Sequence, residues 1–175
     1  MSLAEVTPAL LTGVEHPDAA LAIKSAFGAF PSGVAALAAE IDGVKVGMVS
    51  SSFSVGVSFD PPMVMFSVQN SSTTWPVLKQ AERIGISILA SAHDEACYQL
   101  SSRTRDRFAG LDLHQPDSGA IFVHDAAVWL ECRIRSEVPA GDHHVVLLEV
   151  TAVRVGEGQD PLIYHGTRFR QLTAV

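Results

Sequence analysis

Hydrophobic and polar positions recur along this chain at two periods, and the changes from one to the other mark its elements. From Pro17 and Asp18 onward, Ala20, Ile23, Phe27 and Phe30 fall at three- and four-residue spacing. That stripe predicts one short amphipathic helix, ended by Pro31, Ser32 and Gly33. Two apolar runs follow, Val34 to Ile41 and Val44 to Val49, joined by Asp42-Gly43, a dipeptide suited to the positive φ angles of a two-residue hairpin turn. Asp60-Pro61-Pro62 interrupts the chain, and Met63 to Val68 reads as a strand, because proline can precede a ladder but cannot sit inside one. Thr73 to Ala81 reads as a short helix with Thr73 or Thr74 as cap and Pro76 in its first turn. Arg83 to Leu89 reads as a strand, His93 to Ser102 as a helix, and Ser102 to Gly119 as a polar loop. Three more strands are expected at Ala127 to Glu137, His143 to Val155 and Leu162 to Tyr164. Strands outnumber helices without βαβ alternation, so the expected fold is mainly β with short helices, a β-barrel. Residues 1–15 show no period and are expected to form a loose N-terminal arm before a single domain over 16–175.

Composition narrows the picture. With 175 residues, 47% hydrophobic and 18% charged, the chain can bury a sizeable core without disulfides or metals. Its net charge of −7 supplies no long-range attraction to nucleic acid or to an anionic membrane surface. An anionic ligand would have to be held by local donors. Cys97 and Cys132 have no CxxC or Cys/His spacing, which predicts free, buried thiols and no metal site. MSLAEVTPAL lacks a basic segment and a long apolar run, and the later uncharged stretches are broken by polar residues, so the expectation is a cytoplasmic protein with no membrane span.

Four stretches could carry chemistry. Gly47 to Ser58 places hydroxyls and small residues directly after a hairpin strand, where they could bond the polar edge of a flat heterocycle or a phosphate, or simply finish the strand. Asn70 to Trp75 offers uncharged donors at a helix start, either a phosphate cradle or a set of caps. Gly141-Asp142-His143-His144 lies in a turn where Asp142 could orient an imidazole, or where the histidines are only turn residues. Arg103, Arg105 and Arg107 could hold an anionic tail or form a solvated loop. No GxSxG elbow and no GxGxxG after a strand occurs, which disfavours a hydrolase serine and a Rossmann site.

Taken in order, Phe30-Pro31-Ser32-Gly33-Val34, the Gly47 to Ser58 segment ending in Asp60-Pro61-Pro62, Ser71 to Trp75, Arg107-Phe108-Ala109-Gly110 and Gly141-Asp142-His143 resemble one family. It is the short-chain flavin reductases of two-component monooxygenases, whose flavin reductase-like domain is a split β-barrel. The resemblance runs from about Ala22 to Leu172. It implies a homodimer that uses NADH or NADPH to reduce FMN or FAD and releases reduced flavin to a separate flavin-dependent monooxygenase. It also implies flavin contacts at Val49, Ser50, Ser51, Ser52 and Phe53, with Val55 and Gly56 just beyond. Phosphate-side contacts would fall on Ser71, Ser72 and Thr73, with Val77, Leu78, Gln99 and Leu100 more peripheral. Gly141, Asp142, His143 and His144 match the segment that meets the nicotinamide, and His143 is the candidate catalytic residue. The Asn70 to Thr73 stretch carries no cation, which leaves Arg103 or Arg107 to supply one. Two competing readings share the fold: a flavoprotein that retains its flavin and acts on another substrate, and a flavin- or haem-binding carrier.

Overall fold

The structure is a computed structural model that describes residues 11–173. The expected arm falls largely outside that range, and residues 11–15 carry neither helix nor strand. Helix α1 (Ala19–Gly28) is followed by the short strand β1 (Ser32–Gly33) and by the hairpin of β2 (Ala35–Ile41) and β3 (Val44–Ser50). Asp42 and Gly43 take φ values of 51° and 77°, the pair of positive angles that the two-residue turn demands. Strands β4 (Ser54–Phe59) and β5 (Pro62–Gln69) come next, then the single turn α2 (Trp75–Leu78) and strand β6 (Ile84–Ile88). A 3-10 turn at Ser91–His93 leads into α3 (Asp94–Leu100). The short strands β7 (Leu113–His114) and β8 (Phe122–Val123) precede the long hairpin of β9 (Val128–Ala140) and β10 (His143–Val155). Strands β11 (Ile163–His165) and β12 (Arg168–Arg170) follow.

Seven strands make one antiparallel sheet in the order β3-β2-β6-β9-β10-β5-β4. Strands β3 and β4 are successive in the chain yet stand at opposite edges of that sheet. Laid flat, those edges would be roughly 29 Å apart at about 4.8 Å per strand. The four steps from Ser50 to Ser54 reach at most about 14 Å. The sheet therefore has to roll up, with Ser51 to Phe53 crossing the line where its edges meet without pairing. The result is a split β-barrel with short helices, as the sequence led us to expect.

Leu37, Phe66, Ile84, Ile86, Leu130, Val146 and Leu148 fill the interior. Val34, Ala36 and Ala38 join Leu89, Leu100, Phe108, Ile121 and Leu162 in a second cluster outside it. Strand β2 is thus covered on both faces from Ala35 to Ala39, which is why that part of its sequence is a continuous apolar run instead of an alternation. Gly85 permits the close crossing on β6: a Cβ there would collide with the backbone carbonyl of Ile121.

Three expectations change. Strand β4 was not anticipated from the pattern, because its register against β5 shifts between Ser54 and Ser58, around Gly56 at φ 73°, and period-two alternation is lost. The helix expected over Thr73 to Ala81 is only the turn α2; the Thr74 hydroxyl does not cap it, and Ser72 Oγ instead accepts from the Trp75 N–H at 3.2 Å. A one-turn helix has little dipole to offer a phosphate. Among the described residues the apolar stripe of α1 is left uncovered: Ala19 is buried, while Phe27 and Phe30 are 77% and 76% exposed.

Candidate functional site

A groove of about 620 Å³ runs along the split, a volume typical of small-molecule sites. Met48 to Ser52 wall one side, Ser67 to Gln69 of β5 and the Ser71 to Thr74 turn wall the other, and Ser101, Arg103, Arg107 and His143 complete it. Among the described residues no Asp or Glu side chain lines this groove, although the chain holds 19 of them against 12 Lys and Arg. Hydroxyls, an amide, two guanidiniums and an imidazole are suited to a ligand with an anionic part and a hydrogen-bonding edge.

The two sides are joined by a serine. Ser52 Oγ accepts from the Ser67 N–H at 2.9 Å and donates to the Ser67 carbonyl at 3.0 Å, and it lies 2.9 Å from Ser50 Oγ. On the opposite rim, Asn70 N–H donates to the Asp142 carbonyl at 2.9 Å and Asn70 Nδ2 to the Gly141 carbonyl at 3.3 Å. These bonds hold the β9–β10 turn against the Ser71 to Thr74 segment and bring His143 to the groove. Its Nδ1 sits 2.7 Å from Asp142 Oδ1. That hydrogen bond, with the charge of His143 second, holds the Asp142 carboxyl below its ordinary range. An ionised carboxylate only accepts, so His143 Nδ1 carries the proton between them and Nε2 is the free ring nitrogen.

The arginines divide their work. Arg107 donates through Nε to the Ser102 carbonyl at 2.7 Å, and through Nη1 to Thr74 Oγ1 at 2.9 Å and to the Gly47 carbonyl. One guanidinium thereby ties β3, the start of α2 and the segment after α3. Arg103 has no side-chain partner among the described residues and is exposed on the groove wall. Arg105 lies in a neighbouring depression with Val77.

Of the residues expected at the site, Val49, Ser50, Ser51, Ser52, Ser71, Ser72, Thr73 and His143 come together in the groove. Phe53 packs on the interior core, while Val55 and Gly56 lie exposed on β4 beyond it. Gln99 uses its amide on the carbonyls of Asp106 and Ala109, at 3.3 and 2.7 Å, and Leu100 and Leu78 are core residues. Gly141 and Asp142 support His143 from behind, and His144 does not line the groove. Met48 and Thr74, within the stretches singled out above, line it too, whereas sequence reasoning missed Ser67, Val68, Gln69 and Ser101. The signal for Ser67 was present: β5 buries Val64, Phe66 and Val68, so the alternate residues face away from the interior. Nothing local distinguishes Ser101. Among the described residues, no three His, Cys, Asp or Glu side chains gather to hold a metal ion, and no helix is long and apolar enough to cross a membrane.

Comparison with known proteins agrees with this geometry. A flavin reductase from Pseudomonas putida is 31% identical over 143 residues, covering 81% of this chain and 84% of its own. An NADH:FMN oxidoreductase from Rhodococcus erythropolis is 31% identical over 173 residues, covering 95% and 87%. The solved NADH:FAD oxidoreductase of Streptomyces globisporus in complex with NAD and FAD fragments superposes with a TM-score of 0.84 at 26% identity, covering 94% of this chain and 98% of that one. The flavin reductase component of a bacterial two-component tryptophan halogenase superposes at 0.80 with 25% identity, covering 89% and 99%. The family model described as flavin reductase like domain matches residues 27–173, and the chain belongs to that family.

Proposed function

We propose that this chain is an NAD(P)H:flavin oxidoreductase that reduces FMN or FAD and passes the reduced flavin to a separate flavin-dependent monooxygenase. The observation that carries the reading is the carboxylate-free groove at the split of an acidic barrel belonging to the flavin reductase family. Relatives named as reductase subunits of flavin-dependent monooxygenases, such as that of Rhodococcus jostii at 27% identity, support the partner.

The lining fits the cofactors. Ser51 and the backbone around it suit the polar edge of an isoalloxazine, and Ser71 to Thr74 with Arg103 suit a phosphate. When bound, flavin and nicotinamide supply the hydride chemistry themselves, from nicotinamide C4 to flavin N5. The chain's residues bind, orient and keep water out. His143, its Nδ1 held by Asp142, presents Nε2 as a contact for the nicotinamide and fixes its approach. Hydride transfer requires no side-chain acid or base, so His143 acts through binding.

The assembly in this reading is a homodimer, supported by apolar side chains exposed on and after α1 (Leu21, Phe27, Phe30) and on β4 (Val55, Val57, Phe59). The chain works in the cytoplasm, consistent with two free cysteines, and its net charge of −7 supports neither nucleic acid nor an anionic membrane as partner. In this reading the chain is one domain from residue 16 onward, supported by the family match over residues 27–173. The test is steady-state oxidation of NADH and NADPH with FMN, FAD and riboflavin. Oxidation that depends on added flavin is expected, and its absence with every pair would overturn the reading.

A further inference from the structure

The hydroxyls of Ser50 and Ser52 were expected to meet the ligand, yet their protons are already assigned. Each serine carries one O–H and two lone pairs. Ser52 Oγ gives its proton to the Ser67 carbonyl at 3.0 Å and accepts the Ser67 N–H at 2.9 Å. The 2.9 Å contact between the two hydroxyls therefore has Ser50 as donor and fills the second lone pair of Ser52. Ser50 Oγ in turn accepts from the Ser52 N–H at 3.2 Å. Neither hydroxyl has a proton left for a ligand, and Ser50 is 8% exposed.

The place of this relay in the sheet gives it a purpose. Pairing of β4 with β5 begins at Ser54 opposite Met65, so Ser67, two residues further along β5, has no β4 residue beside it. Its N–H and C=O on that side would be open ladder groups at the barrel's split. The Ser52 hydroxyl engages both, as a strand residue would. It thereby fixes the separation of the two groove walls, while Ser51, between the two relay serines, has neither hydroxyl nor N–H bonded among the described residues.

Building on the flavin-reductase reading, we infer that Ser52, with Ser50 behind it, is a positioning residue: a side-chain rung that closes the barrel's ladder at the split and presents Ser51 to the flavin. Ser52 holds the wall and Ser51 makes the contact.

The experiment compares Ser52→Ala, Ser52→Thr, Ser50→Ala and the Ser50→Ala/Ser52→Ala double variant. Amide exchange at Ser67, followed by NMR without any cofactor, reads the rung directly. Ser67 exchange should accelerate at least tenfold in Ser52→Ala and return towards the wild-type rate in Ser52→Thr, which keeps the hydroxyl. Wild-type exchange in Ser52→Ala would overturn the inference, whatever the flavin activity. In turnover, Ser52→Ala should raise KM for riboflavin, FMN and FAD by one common factor of about ten with kcat within threefold, the signature of lost uniform binding. Ser52→Thr should recover most of it. The double variant should be no worse than Ser52→Ala, because the two serines act as one relay. Effects that multiply, or no recovery in Ser52→Thr, would show independent ligand contacts instead. If wild type fails to oxidise NAD(P)H with flavin while the exchange result holds, the reductase reading fails and the rung stands.

Discussion

Replacing Arg107 by alanine removes a side chain that ties together β3, the start of α2 and the segment after α3. Its guanidinium reaches the carbonyls of Ser102 and Gly47 and the hydroxyl of Thr74. Hydrogen bonds from a charged donor are worth about 1.5–3 kcal/mol each when tested singly, and bonds sharing one group do not add. Gly47 is buried on β3, an edge strand, so no further strand can replace the lost donor to its carbonyl. Half-burial of Arg107 argues for the lower part of the range, and the net loss comes to about 3 kcal/mol. For a chain of this length that corresponds to a fall of roughly 6–12 °C in thermal midpoint. Arg107→Lys should recover less than half, because one ammonium cannot fork across acceptors on three segments. Differential scanning calorimetry of the three proteins makes the comparison, with flavin KM measured on the same samples. Midpoints within 2 °C of wild type for both variants would refute the clasp. A rise in KM for phosphate-bearing flavins without any thermal change would reassign Arg107 to the ligand.

Arg103→Ala should raise KM for FMN and FAD about tenfold, or ~1.4 kcal/mol, and leave riboflavin unchanged, because the unpaired guanidinium is read as a phosphate contact; an equal loss on riboflavin would refute that role. His143→Ala should raise KM for NAD(P)H several-fold with flavin affinity unchanged, measured by flavin fluorescence quenching, and an unaltered KM in a folded variant would refute the assignment. Burial pushes the thiols of Cys97 and Cys132 up to about 11 and about 12, so iodoacetamide at pH 8 should label neither in the native protein. Raised folded-state values mean stability that is full below the unfolded thiol's pKa of about 8.5 and is lost as pH climbs towards those values. Denaturation midpoints between pH 8.5 and 10.5 should therefore fall less steeply in Cys132→Ala than in wild type, and an unchanged slope would refute the burial argument.

The elements that sequence reasoning found are those whose signals are local. Asp42-Gly43 demands its turn, β10 runs over His143–Val155 as its apolar pattern indicates, and Pro62 stands at the first residue of β5. What it missed has no local signal of its own. Strand β4 loses its alternation at the register shift around Gly56, and α2 stops after one turn while the distant Arg107 takes the Thr74 hydroxyl expected as its cap. The candidate site shows the same divide. Hydroxyl-rich stretches and the Gly141-Asp142-His143 turn could be picked out, but that Arg107 is occupied follows only from contacts 33 and 60 residues apart in sequence. Likewise the stripe of Phe27 and Phe30 announces a helix without saying what covers it.

The crossing from Ser51 to Phe53 has a consequence for how such a groove can be remodelled. Its ends are anchored in strands at opposite margins of one sheet, so an added residue there would slacken the barrel as a whole. The segment from Ser101 to Gly110 bears no such tension: it is largely exposed, and it holds to β3 mainly through Arg107 and Phe108. Apart from Arg107 and the buried Phe108, insertions and exchanges should be tolerated on that rim and rejected at the crossing. Ligand preference in this barrel is therefore adjustable from one bank only.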